Sequence, residues 1–437
     1  MKKLLTMLTA TSFVVSTLTT TVSCMPKQLT NSKTSPLKIG LDIDKTKAID
    51  SSVDPNTHHG FTNYFVVGDS LSDVDGLTTY LKDKFFVSTG LDSKINFDLE
   101  LSGSYGFVDE NIHHNAFSNG PTAGYNLAKA LNFDDLKPSN KYSKLDDAKY
   151  YGKNYAIGGA TAATTSDIKG KMVFNDVSTE VQSRVLLNQH KISSNDLVFF
   201  EIGGNDLFAM IADQKNGNDK QVIEYMNESI KRIRNTLFTL LNNGIKNIIF
   251  MGPPIMDDIP RYARDNDLEK EEIIDLGKEF ELKFNEIIKE VKTYYPKNLF
   301  YTSLYEGENS FPVLQKKYEE ILLAEGIIAN EDQYKSNKSF TETVNIKVNQ
   351  NKINLANISQ ASINDFLLTY KNNQLDGIKD LKVEIILKGN EENSWNNLVE
   401  RDKKMDPYFF TDIVHPTKRV HEYVGKMLFD MATKEFK

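Results

Sequence analysis

A single cysteine, Cys24, stands among 437 residues, so no intramolecular disulfide can form and packing must hold the fold unaided. Basic excess is missing as well. The 52 Lys and Arg face 60 Asp and Glu, and the formal net charge is −8. That balance excludes a field that attracts phosphates, and with it nucleic acid as a partner and electrostatic adhesion to anionic lipid. No apolar run is long enough for a comfortable bilayer span of about 20 residues, the uncharged stretch at 4–18 being short and rich in Thr and Ser. No internal repeat or low-complexity block is evident. What remains is an ordinary globular composition, 40 % hydrophobic and 26 % charged. The length exceeds the roughly 250–300 residues at which one core stops growing, so one decorated domain or two domains are expected.

At the N-terminus Lys2 and Lys3 precede that uncharged stretch, and residues 1–23 read as a secretory signal that is removed. Cys24 follows Thr21-Val22-Ser23, an arrangement that resembles the lipobox of bacterial lipoproteins, in which the cysteine is lipidated and becomes the new N-terminus. Thr21 departs from the leucine usual there, and plain secretion with an incidental cysteine is the other reading. Membrane contact is therefore expected through an N-terminal lipid anchor, with the protein on the extracellular face of the membrane or secreted. Residues 24–60 are polar and lack apolar periodicity, as expected of a tether.

The folded domain is expected over 61–437. Residues 61–67 are aromatic and β-branched and end in Gly68-Asp69-Ser70, a strand running into a sharp turn. Residues 196–202 repeat the pattern before Gly203-Gly204-Asn205-Asp206, and 248–251 stop at Gly252-Pro253-Pro254. Continuous apolar runs of this kind belong to strands buried on both faces, as in a parallel sheet. Helical spacing fills 222–241, ending at Gly244, and 268–294, stopping before Pro296. Strands alternating with helices predict a three-layer α/β/α sandwich with a mainly parallel central sheet and ligand groups at the carboxyl ends of its strands. Residues 306–395 fit the alternation poorly and read as an insertion with some β structure, on apolar positions such as Val344, Ile346 and Val348.

A serine hydroxyl is a weak nucleophile at neutral pH and needs a base, a carboxylate to orient that base, and donors for the oxyanion. Ser70 sits where a turn follows a strand, although the same residue would serve as a helix N-cap. Asp412 stands three residues before His415, close enough to set carboxylate and imidazole side by side in one loop; each alone is equally a surface polar residue. Asn119-Gly120 and Gly204-Asn205 each supply a backbone N–H or a carboxamide of the kind an oxyanion requires, and each is equally a common turn. Adjacent histidines at His58-His59 and His113-His114 diverge and lack metal-ligand spacing, so no metal is expected. His421 and the charged stretches Asp257-Asp258 and 261–272 read as solvated surface.

Taken in order, Gly68-Asp69-Ser70-Leu71, Asn119-Gly120, Gly204-Asn205-Asp206 and Asp412-Ile413-Val414-His415 resemble the four blocks of the GDSL/SGNH hydrolases. Asn154-Tyr155-Ala156-Ile157-Gly158-Gly159-Ala160-Thr161-Ala162 is similar to a fifth stretch of the branch that holds secreted lipases, phospholipases and esterases. The resemblance covers 61–300 and 406–437 and implies the flavodoxin-like fold of that family. It implies Ser70 as nucleophile, His415 as general base and then general acid, and Asp412 as the group orienting the imidazole. The Ser70 and Gly120 backbone N–H groups and the Asn205 carboxamide would hold the oxyanion, with no cofactor. A lipid or fatty-acyl ester is the expected substrate. A carbohydrate O-acetyl esterase uses the same parts and remains open, and outside the enzymes so does a surface-binding lipoprotein on a hydrolase scaffold.

Overall fold

The computed structural model describes residues 35–89, 95–164, 177–342, 345–350, 353–355, 381–388 and 397–436. The expected signal and Cys24 lie outside the described residues, as does Val344. The aromatic and β-branched run Tyr64-Phe65-Val66-Val67 forms β1 (Tyr64–Val67), all four side chains buried. After it come α1 (Gly76–Thr89), β2 (Ile95–Ser102), the hairpin of β3 (Phe107–Asp109) and β4 (Ile112–His114), α2 (Ala123–Ala130) and α3 (Thr179–Gln189). Alternation then becomes regular through β5 (Leu197–Glu201), α4 (Gly204–Lys215), α5 (Asp219–Asn242), β6 (Asn247–Met251), α6 (Asp267–Tyr294), β7 (Leu299–Thr302) and α7 (Phe311–Ala324). The described chain ends with β8 (Lys335–Ser339), β9 (Asn345–Gln350), β10 (Ile353–Leu355), β11 (Leu381–Lys388), α8 (Leu398–Met405), β12 (Tyr408–Phe410) and α9 (Lys418–Glu435).

The expected parallel sheet is present, in the order β1-β5-β6-β7, with Tyr64 opposite Leu197, Leu197 opposite Asn247, and Ile248 opposite Leu299. Residues 154–157 extend it on the free side of β1: Val66 and Asn154 form a parallel bridge, and Tyr155 N donates to Val66 O at 2.8 Å. Winding thus proceeds outward from β1 in one direction and from β5 in the other. At such a switch point the loops leaving neighbouring strands part and leave room for a ligand. The two faces are covered separately. Tyr64 donates its hydroxyl to Gly124 O of α2 at 3.0 Å on one face, while on the other Phe65 packs on His190 after α3 and Phe250 on Phe284 of α6. Each such side chain, fully buried, contributes about 1.5–3 kcal/mol of transfer free energy. Helix α6 is set at its start by a capping box of Asn266 and Glu269, and buries Ile273, Leu276, Phe280, Phe284, Ile287 and Val291 at helical spacing.

Two expectations about the periphery are corrected. Residues 35–60 are not a free tether: Asn242 Nδ2 donates to Pro36 O and Ile39 O, both at 2.8 Å, Ile49 N donates to Gln189 O at 3.0 Å, and Ser51 Oγ lies 3.0 Å from His190 Nδ1. The segment is held chiefly through its main chain, at Pro36, Ile39 and Ile49, with the Ser51 hydroxyl added. The stretch 306–395 is likewise not one insertion. Helix α7 buries Phe311, Leu314, Tyr318 and Leu322 in the main core, and β8 pairs with β12. Beyond it, β9, β10 and β11 build a second sheet in the order β10-β9-β11-β2, in which β11 runs parallel to β2 with Leu381 opposite Ile95. The expected β structure therefore exists, and its partner strand comes from nearly 300 residues earlier in the chain, roughly as Ile95 stands to Leu381.

Candidate active site

Gly68 directly follows β1, and a Cβ there would stand 2.7 Å from Glu201 O, so the chain passes this close to the end of β5 only with glycine. Gln182 of α3 clamps the same residue, accepting from Gly68 N and donating to Gly68 O, both at 2.9 Å. Behind the turn, Asp73 accepts from Gly76 N at 2.6 Å, Leu77 N at 3.0 Å and Gly158 N at 2.6 Å. One carboxylate thereby caps α1 and ties the loop after β1 to the loop after 154–157. Burial pushes its carboxyl up to about 7, against those three N–H groups.

In the turn so fixed, Ser70 Oγ lies 2.8 Å from His415 Nε2, and His415 Nδ1 lies 2.8 Å from Asp412 Oδ2. The loop that carries the last two is held from several directions. Asp412 Oδ1 accepts from Val414 N and His415 N, both at 2.8 Å, Thr411 N donates to His415 O at 2.7 Å, and Arg261 N donates to Ile413 O at 3.0 Å. Phe117 stacks on the imidazole with ring centroids 4.9 Å apart. Asp412 is 1 % exposed, Ser70 and His415 each 9 %. Burial alone would raise the Asp412 carboxyl; the charge and hydrogen bonds of His415, with the Tyr105 hydroxyl, outweigh it and hold the carboxyl below its ordinary range. Tyr105 Oη donates to Asp412 Oδ2 at 2.7 Å. Nothing local in the sequence marks Tyr105, which reaches Asp412 from the segment after β2.

Asn205 lies in the first turn of α4, reached through Gly203 at φ 120°. Its Nδ2 donates to Ala160 O at 3.0 Å and, less closely, to Asp69 Oδ2 at 3.3 Å. Asp206 completes the junction by accepting from Ala162 N at 2.9 Å, Ala163 N at 3.0 Å and Ser229 Oγ at 2.7 Å. The backbone beside Asn205 is thus that of Ala160, preceded by Gly159 at φ 80°.

Gly120, expected among the oxyanion donors, packs against the start of α9. A Cβ on Gly120 would stand 2.3 Å from Lys418 Cγ, while Asn119 Oδ1 accepts from Lys418 N at 2.8 Å and Asn119 O from Arg401 Nη2 at 2.6 Å. Asn119-Gly120 therefore fastens α8 and the start of α9, the helix that leaves the His415 loop.

His421 is also corrected, being 5 % exposed rather than a surface residue. Its Nδ1 accepts from Ala123 N at 3.1 Å, and burial, with the nearby His415 charge, lowers it to about 3. Asp257 and Asp258 are half-buried rather than solvated, and Tyr262 within the second charged stretch is buried. His114 pairs with Asp75, Nδ1 to Oδ2 at 2.7 Å. Among the described residues no group of three or more His, Cys, Asp or Glu could hold a metal ion.

No curated protein matches the chain. The model of the GDSL-like lipase/acylhydrolases matches residues 64–428, from β1 through the serine turn and the Asp-His loop into α9. On that match the chain belongs to the GDSL-like lipase/acylhydrolase family and is an ester hydrolase.

Proposed function

We propose that the protein cleaves lipid or fatty-acyl esters through an acyl-enzyme on Ser70. The observation that carries this reading is the unbroken line from Ser70 Oγ to His415 Nε2 and from His415 Nδ1 to Asp412 Oδ2, both steps at 2.8 Å. With the Nδ1 proton directed at Asp412, Nε2 is free to accept the serine proton as Oγ attacks the ester carbonyl. The tetrahedral oxyanion is met by the Ser70 N–H, the Gly159 N–H and the Asn205 carboxamide. His415 then protonates the departing alcohol, and water activated by the same imidazole releases the acid. Every proton in this sequence moves between substrate, water and protein side chains.

Half-buried Leu71, Ile413 and Val414 put apolar surface next to Ser70 and His415, which supports an acyl chain on that side. Lipidation of Cys24, also part of the proposal, would hold the enzyme where membrane lipid is the nearest ester. Protein lacking residues 1–24 is expected to hydrolyse p-nitrophenyl acetate, butyrate and palmitate at rates that rise with chain length. Turnover confined to the acetate would instead identify a carbohydrate O-acetyl esterase, and none with any ester would favour a binding protein.

Asn205→Ala supplies a sharper test of the oxyanion. Removing one such donor costs about 10²–10³ in kcat. Because the bond is made to the transition state, KM is expected to stay within about threefold. Steady-state kinetics on the best ester decide it, and a loss confined to KM would place Asn205 in substrate binding instead.

A further inference from the structure

Beneath the serine turn two acids face each other with almost no access to water, Asp69 at 2 % exposure and Glu201 at 1 %. Glu201 ends β5, and the register that pairs Val67 with Phe200 sets it beside Gly68, one residue before Asp69; a Cβ on Gly68 would stand 3.1 Å from Glu201 Oε2. Their other bonds are unequal. Asp69 Oδ1 accepts from Leu71 N at 3.0 Å and Oδ2 from Asn205 Nδ2 at 3.3 Å. Glu201 Oε2 accepts from Ser72 Oγ at 3.3 Å, and Glu201 Oε1 is buried without a donor of its own.

Two ionised carboxylates this close and out of water would repel, which the few donors around them offset only in part. One proton shared between them removes the repulsion and at the same time explains the orphaned Oε1. Its place follows from the donors: Asp69, already accepting from two N–H groups and facing the His415 imidazole, is the better anion, so the proton sits on Glu201. Two charged groups flank Asp69 with opposite effects. His415 from across the turn favours the ionised Asp69, and outweighs the opposing negative charge of Asp206 from α4. Burial first, and the Asp69 charge second, push the Glu201 carboxyl well above its ordinary value of 4.5, whereas Asp69 rises to about 6.

We propose that Glu201 carries a proton donated to Asp69, and that this acid–carboxylate pair holds the Asn205 carboxamide beside Ser70. Glu201 is thus a positioning residue, acting through Asp69 on the group that meets the oxyanion. The role rests on the reading of Ser70 and Asn205 given above, but the proton itself does not.

Glu201→Gln and Glu201→Leu, made in the same protein as the wild type with Ser70→Ala as control, separate these points. Glutamine keeps a donor toward Asp69 and cannot lose it to base. Its kcat is expected within about threefold of wild type at pH 6 and to persist at alkaline pH, where the wild type declines as Glu201 gives up its proton. Leucine has no donor and is expected to lose about tenfold in kcat at every pH with KM nearly unchanged, a loss smaller than deletion of the oxyanion donor itself. Parallel alkaline declines in wild type and Glu201→Gln, or full kcat in Glu201→Leu, would overturn the proposal.

Unfolding measured against pH tests the proton without any activity. A carboxyl whose folded value is raised contributes fully below its ordinary value of 4.5 and loses that contribution as pH rises toward the folded value. The folded-to-unfolded ratio of Glu201→Gln should therefore gain on wild type by up to about tenfold per pH unit above that point. A constant difference across pH would show that Glu201 holds no proton, even if Ser70→Ala had meanwhile retained activity and so removed the hydrolytic reading.

Discussion

Replacing Ser70 by alanine is expected to lower kcat for ester hydrolysis by about 10⁴-fold or more, while the melting temperature stays close to that of the wild type. Ser70 Oγ lies 2.8 Å from His415 Nε2 in a turn whose geometry is set by Gly68, Gln182 and Asp73, none of which depends on the hydroxyl. Loss of Oγ therefore removes the nucleophile and little else. Residual turnover should come from the oxyanion donors acting on water. Because the residues of a triad act as one unit, Ser70→Ala combined with His415→Ala is expected to be scarcely slower than Ser70→Ala alone. A fluorophosphonate probe should label the wild type and not the variant. Unchanged hydrolysis in Ser70→Ala would sink the acyl-enzyme reading outright.

Asp412→Asn carries the second large effect, about 10⁴-fold in kcat, through a single misplaced proton. An asparagine carbonyl can still accept from Val414 N and His415 N, which now bond to Asp412 Oδ1 at 2.8 Å. The amide nitrogen would then replace Oδ2, where His415 Nδ1 at 2.8 Å and the Tyr105 hydroxyl at 2.7 Å both require an acceptor. His415 answers by carrying its proton on Nε2, aimed at Ser70, and can no longer accept the serine proton. Tyr105 loses its acceptor at the same time. Stability should show the complementary pH dependence. The wild-type carboxyl is depressed, so its contribution is present above the ordinary value of 3.8 and is lost as pH falls through the lower folded value. The variant has no such group. Acid unfolding curves are expected to show the wild type's advantage at neutral pH shrinking below pH ~4. Full kcat in Asp412→Asn would mean that another group orients His415.

Local pattern was enough wherever an element's partners did not matter to its identity. Buried runs such as Tyr64-Phe65-Val66-Val67 and Leu197-Val198-Phe199-Phe200 are apolar on both faces because helices cover both faces of the sheet, and that period-free apolarity is visible in one dimension. Asp412 and His415 were legible for a related reason, since three residues of a single loop already bring the two groups together. Asn119-Gly120 and Gly158-Gly159 answer one local description. Only the approach of Lys418 to one and of Asn205 to the other tells them apart. Residues 35–60 were misread because polarity records what a segment offers, not whether Asn242, Gln189 or His190 is waiting to bond it.

The sequence by itself determined the chemical class: a serine, an acid–base loop, a carboxamide and the alternation that builds a parallel sheet are all properties of short stretches. The tertiary structure alone decided that Asn119-Gly120 meets Lys418, that Tyr105 supports Asp412, and that Glu201 and Asp69 are buried beneath one turn. Each of those depends on strands and loops far apart in the chain meeting at ångström distances, and a local period or motif carries no record of such meetings.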